Sequence, residues 1–123
     1  MMATNTFFSE GTRIYHGGVG AAIAICRLVA SDSNGNYIAC PTGERPAGVS
    51  SHAIDAADHS MEYHRLGKCN VETDGSAAAG EYIKAGGSSD GKGIKDSSPG
   101  ITTAGRVLSV DAATNIAFVE LWV

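Results

Sequence analysis

No stretch of this chain stays apolar for the ~20 residues that a membrane helix needs. The longest candidate, VGAAIAICRLVA at 19–30, is shorter and carries Arg27. There is no basic excess either. Nine Lys and Arg stand against 13 Asp and Glu, a net charge of −4, without the dense positive surface by which a protein binds nucleic acid. Proline is scarce at three residues while glycine reaches 16, the balance of a chain with many turns rather than a collagenous or disordered one. The three cysteines, Cys26, Cys40 and Cys69, have neither the even count nor the close spacing of a disulfide framework. Free thiols in a reducing cytoplasm are expected. The opening MMATNTFFSEG has no basic or apolar region of the kind a signal peptide requires, so none is expected.

What is present reads as strands and turns. The 123 residues, 43% hydrophobic and 18% charged, suit one domain burying roughly two-thirds of the surface its unfolded chain exposes. Asn34-Gly35 and Asp90-Gly91 are hairpin signals of the type I′ kind, each between β-compatible segments. Further strands are expected at 66–73 (LGKCNVET), 105–110 (GRVLSV) and 115–123 (NIAFVELWV).

The chain also repeats itself. NGNYI at 34–38 returns as DGKGI at 90–94, and IDAAD at 54–58 returns as VDAAT at 110–114, both at a spacing of 56. A one-residue slip aligns Ala47-Gly48 with Ala104-Gly105. The order is the same in 30–67 and 86–123: hairpin turn, Ala-Gly with a strand, Asp-Ala-Ala turn, closing strand. The repeat also assigns 58–66 (DHSMEYHRL) to a strand despite its alanine-rich approach, because its counterpart TNIAFVELW is β-rich. A unit of this size cannot close a sheet alone, so two halves pairing into a small all-β barrel or sandwich are expected.

Catalytic motifs are approached and missed. GGSSDGK at 86–92 is followed by Gly93, where a phosphate loop needs a magnesium-binding hydroxyl, and no helix follows. His52, His59 and His64 lie near Asp55, Asp58 and Glu62, but HSMEYH is not the spacing that puts two imidazoles on one helix face. Solvated turn and strand histidines are expected instead. Cys26 and Cys69 read as small buried hydrophobes within strands. No catalytic residue, metal ligand or cofactor is assigned, and the expected protein is not an enzyme.

The order of FFSEGTRIYHGG, VGAAIAICRLVA, AGVSSHAIDAAD, LGKCNVETDGSAAAGEYIK and TAGRVLSVDAATNIAFVELWV resembles the decoration (cement) proteins of tailed-phage capsids, a small Gly/Ala-rich β-barrel family of head-gene clusters. Its pieces are Gly48-Val49 with Asp55-Ala56-Ala57, then Ala79-Gly80-Glu81-Tyr82-Ile83. Gly105–Leu108, Ala112-Ala113 and Val119-Glu120-Leu121 complete the set. The resemblance implies a structural virion protein made in the host cytoplasm. It would bind the outside of the expanded head, stabilise it by bridging major capsid subunits, and sit there as a homotrimer. A small soluble ligand- or carbohydrate-binding module is the alternative, and it would need a cluster of exposed aromatics that the scattered sequence positions do not suggest.

Two surfaces are expected. Residues 1–13 precede the repeat and read as a capsid-binding arm bearing Phe7 and Phe8, with 14–123 as the single β domain. If Phe7 or Phe8 instead opens the first strand, that strand continues through Ile14 and Tyr15. In the closing strand, Ala117, Val119, Leu121 and Val123 alternate with Ile116, Phe118 and Trp122, with Glu120 among the latter. A strand apolar on both faces points to a core on one side and a partner on the other, so Ile116, Phe118 and Trp122 are the expected oligomer interface.

Overall fold

The computed structural model describes residues 7–55, 60–86 and 88–122, and these hold strands and turns with no helix. The strands, in chain order, are β1 (Ser9–Glu10), β2 (Arg13–Gly17), β3 (Leu28–Ser31), β4 (Tyr37–Ala39), β5 (Gly48–Ser50) and β6 (Met61–Arg65). They continue with β7 (Gly67–Glu72), β8 (Tyr82–Ala85), β9 (Gly93–Asp96), β10 (Thr103–Asp111) and β11 (Ile116–Leu121). One sheet runs β1-β7-β11-β10-β8-β9 and the other β2-β6-β5-β3-β4. The architecture is a sandwich of two antiparallel sheets and not a closed barrel.

The internal repeat is visible in the topology. The order β6-β5-β3-β4 in one sheet matches β11-β10-β8-β9 in the other. The register matches as well. Val29 pairs with Gly48 as Ile83 pairs with Gly105, and Ser50 with Tyr63 as Val107 with Val119. The slip that aligned Ala47-Gly48 with Ala104-Gly105 is therefore the true structural alignment of β5 with β10. Both glycines are required. A Cβ on Gly48 would lie 2.5 Å from the His64 carbonyl oxygen, and one on Gly105 would strike the Glu120 carbonyl, its counterpart one sheet over.

A ribbon outside the repeat joins the sheets. β1 pairs with β7 and β2 with β6, so β1–β2 and β6–β7 cross together from one sheet to the other. They turn the corner at Gly11 (φ 65) and Gly67 (φ 81), preceded in the second case by Leu66 (φ 55). The two glycines stack so closely that a Cβ on Gly67 would sit 2.5 Å from the Gly11 carbonyl oxygen. Left-handed φ and the lack of room both call for glycine here.

Alternation along the strands fills two cores. Between the sheets lie Leu28 and Val49 from one side, and Cys69, Val71, Ile83, Val107 and Val119 from the other. The second core covers the outer face of the five-stranded sheet. There Ile23 and Ile54, bonded to each other through both backbone amides, lie over Val29, Met61 and Tyr63.

Several local expectations are corrected. Both hairpins form, but neither is a two-residue turn with φ > 0 at both centres: Gly35 (φ 80) and Gly91 (φ 81) are left-handed while Asn34 and Asp90 are not. The first is built on Asp32, whose carboxylate accepts from the amides of Asn34 and Asn36 at 2.8 and 3.0 Å. Cys26 lies in a turn at φ 62 rather than in a strand, though it is fully buried. The Asp111 turn forms as expected, its carboxylate accepting from the Ala113 amide at 3.0 Å. Its counterpart leaves the described residues at Ala56, and His59 and Asp58 lie outside them too.

Candidate functional site

Among the described residues, the outer face of the six-stranded sheet has no covering layer like the one on its partner sheet. Its side chains follow from register. Because Cys69, Val119 and Val107 point inward, the rows on either side of them point out. One row runs Phe8, Asn70, Phe118, Ser109: the Asn70 amide donates to the Phe8 carbonyl at 3.1 Å, Asn70 pairs with Phe118, and Phe118 with Ser109. A β-bulge between Val107 and Ser109 sets Leu108 beside Ser109 opposite Phe118, and both are exposed. The other row runs Glu10, Lys68, Glu120, Arg106, Tyr82, Asp96.

Trp122 ends this face. Its amide donates to the Ala104 carbonyl at 2.8 Å, and its ring lies 4.9 Å from that of Tyr82, tilted by 52°. Beside it is a shallow depression lined by Glu10, Gly11, Gly67, Lys68, Glu120 and Trp122. Phe8 is 52% exposed and Trp122 43%, while Asn70 between Phe8 and Phe118 is fully covered. The face is thus aromatic along two margins and alternately charged between them.

The expected interface residues separate. Trp122 is exposed and Phe118 half-buried, both on this open face. Ile116 is 2% exposed and is removed from any surface by its own chain, at the end of β11 where it pairs with Asp111 and Glu72. Ala117, Val119 and Leu121 point into the core as expected. Phe7 and Phe8 also separate. Phe7 packs against the core with its ring 4.7 Å from the His64 imidazole, and Phe8 turns outward as the chain enters β1. From Phe7 to Arg13 the expected arm lies on the body of the sandwich, and only Phe8 of the pair is available to a partner.

The aromatics are not scattered. Besides the Tyr82–Trp122 pair, Tyr15 and Tyr37 flank Tyr63 at 5.8 and 4.6 Å, and the Tyr37 and Tyr63 hydroxyls share a hydrogen bond of 2.8 Å. Burial, then that bond, pushes the Tyr63 phenol up to about 12. This second group belongs to a core. No sequence signal announces either cluster, because its members come from strands far apart in the chain.

His64 is not the solvated histidine expected of a strand. It is 5% exposed, its Nδ1 is 2.8 Å from the Thr12 hydroxyl and its Nε2 3.5 Å from the Glu62 carboxylate. The bond fastens the residue just before β2 to β6, next to the glycine corner. The three thiols are free and buried. Burial pushes Cys26 and Cys40 up to about 12, and raises Cys69 as well, opposite to the shift that activates a thiolate nucleophile. Among the described residues no group of three or more His, Cys, Asp or Glu side chains could hold a metal ion.

The class these observations define is a two-sheet sandwich made of two matching halves and a corner ribbon, with one open face. Solved structures share that fold. The N base of head fiber gp8.5 of bacteriophage phi29 matches with a TM-score of 0.69 at 15% identity, over 89% of this chain and 93% of that one. A structure of the capsid of Myoviridae phage XM1 matches with a TM-score of 0.68 at 14% identity, over 90% of this chain and 83% of that one. No family model and no curated protein matches the sequence. The likeness to head proteins read from the sequence thus extends to the fold of nearly the whole chain.

Proposed function

We propose that this protein is a non-catalytic decoration protein of a tailed-phage head. It binds the outside of the expanded shell, bridges neighbouring major capsid subunits and stabilises the head. The observation that carries the reading is the fold shared over about nine-tenths of the chain with a head-fiber base and a phage capsid structure. The open sheet face supports it, because a structural protein of this size needs contact area rather than chemistry. In this reading Phe8 meets the shell, and Phe118 and Trp122 meet adjacent copies grouped in threes on the head. Bridging contacts stabilise by mass action on the assembled state, each copy adding to the joint it spans.

Co-sedimentation with expanded parent-phage heads assembled without this protein tests the reading. Saturable binding is expected, together with a rise in the temperature at which the heads release DNA. Failure to bind, or binding that leaves head stability unchanged, would overturn the stabilising role.

A further inference from the structure

The four charges at the centre of the open face are arranged in a pattern that selects a partner. Glu10, Lys68, Glu120 and Arg106 lie in one register row on β1, β7, β11 and β10, so the row alternates −, +, −, + across adjacent strands. Glu10, Glu120 and Arg106 are exposed and Lys68 is half-buried. Among the described residues the ion pairs lie elsewhere, at Arg27–Glu72, Lys92–Glu72, Lys95–Glu81 and between Glu62 and both His16 and His64. Arg106 donates from Nε to the Gly80 carbonyl at 3.5 Å, and among these residues none of the four charges is neutralised by an ion pair within its own chain.

We infer that the free protein pairs with a second copy of itself, face to face through this sheet, about a two-fold axis parallel to the strands and midway between β7 and β11. That axis carries Glu10 over the partner's Arg106 and Lys68 over the partner's Glu120, and their symmetry mates likewise, so all four positions meet the opposite charge. An in-plane axis perpendicular to the strands would put every charge over its own kind, which costs affinity. Charge order therefore allows one face-to-face symmetry and rejects the other. The same operation brings Phe8 over Leu108 and Ser109 and places Phe118 over Asn70, matching the aromatic row to the bulge. The five-stranded sheet offers no such face, since its outer side is already closed by Ile23 and Ile54.

Size sets the strength. About that axis four strands face their mates, β1, β7, β11 and β10. About 4.8 Å apart and on average about six residues long at ~3.4 Å per residue, they present on the order of 400 Å². A standard specific interface uses about 800 Å² per partner. The pair is a weak, reversible one that opens on dilution. It does not rest on head binding, and contacts between copies on a head through Phe118 and Trp122 would have to displace it.

The test is a mixing experiment followed by sedimentation velocity from micromolar to millimolar protein. The unaltered protein is expected to show a monomer–dimer equilibrium that weakens as salt is raised. Glu10→Arg and Arg106→Glu should each weaken self-association at least tenfold, because each sets like charges over one another at both symmetry-related sites. Mixed together, the two variants should dimerise about as well as the unaltered protein, because every facing pair is then opposite in sign. Within one chain Glu10 and Arg106 are three strands apart, roughly 14 Å, so rescue by mixing has no intramolecular source. Both side chains are exposed, and unchanged melting temperatures check that the variants fold. A monomer at every concentration, a trimer, or variants that remain monomeric when mixed would each overturn the pairing. For variants that fold poorly, the salt dependence of the unaltered protein decides: a dimer indifferent to salt would also overturn it.

Discussion

Two glycines carry the repeat at the scale of single residues. Gly48 and Gly105 occupy the same place in β5 and β10, and each lies against the carbonyl of the neighbouring closing strand. A methyl group there has no rotamer by which to escape, since the obstacle is backbone. Gly48→Ala and Gly105→Ala should each cost about 1–3 kcal/mol in urea unfolding. Gly100→Ala, whose Cβ would meet nothing nearer than 3.9 Å, should stay within about 0.5 kcal/mol. The thiols make a second prediction at this scale. Cys26 and Cys40 rise from 9.0 to about 12 because burial favours the neutral form. The unfolded chain then releases protons that the folded chain keeps, so their contribution is intact below pH 9.0 and lost as pH rises toward 12. Thiol titration at neutral pH should find no fast-reacting cysteine in the native protein and three after denaturation.

At the scale of elements, much of the sandwich is legible in the sequence. The hairpin signals at Gly35 and Gly91, the strand at 66–73 and the closing strand are all present, and the order of motifs anticipates matching sheets. The corner ribbon is legible only in part. A first strand through Ile14 and Tyr15 is offered as the alternative to an arm and matches β2. But β1 and β2 are short and their partners β7 and β6 lie more than forty residues away, so no local period marks the corner. His64 is hidden for the same reason: a histidine in an alternating strand reads as solvent-facing until the segment around β1 and the entry to β2 brings Phe7 and Thr12 across it. The charge row is not legible either, because four separate strands supply it. Phe7 and Phe8, adjacent in sequence, should part company experimentally. Phe7→Ala should lower stability by about 2 kcal/mol, since its ring covers His64 and the core edge. Phe8→Ala should change stability by no more than about 0.5 kcal/mol and weaken head binding. Chemical denaturation and head co-sedimentation read the two effects separately.

At the scale of the whole molecule, the two sheets have unequal outer faces, and the inequality is what the proposed function uses. Ile23, Ile54 and the tyrosines seal one sheet. The other offers Phe8, Phe118 and Trp122 around a charged row, on a scaffold whose fold phage head proteins share. Two matching halves supply four strands to each sheet, and the ribbon ties the sheets together along one side without closing a barrel. The most direct measurement is a cryo-electron microscopy difference map between parent-phage heads assembled with and without this protein. Discrete density is expected on the outer surface, spanning joints between capsid subunits and fitted by the two-sheet sandwich. Density on the inner surface, or confined to a single capsid subunit, or no difference at all, would contradict it.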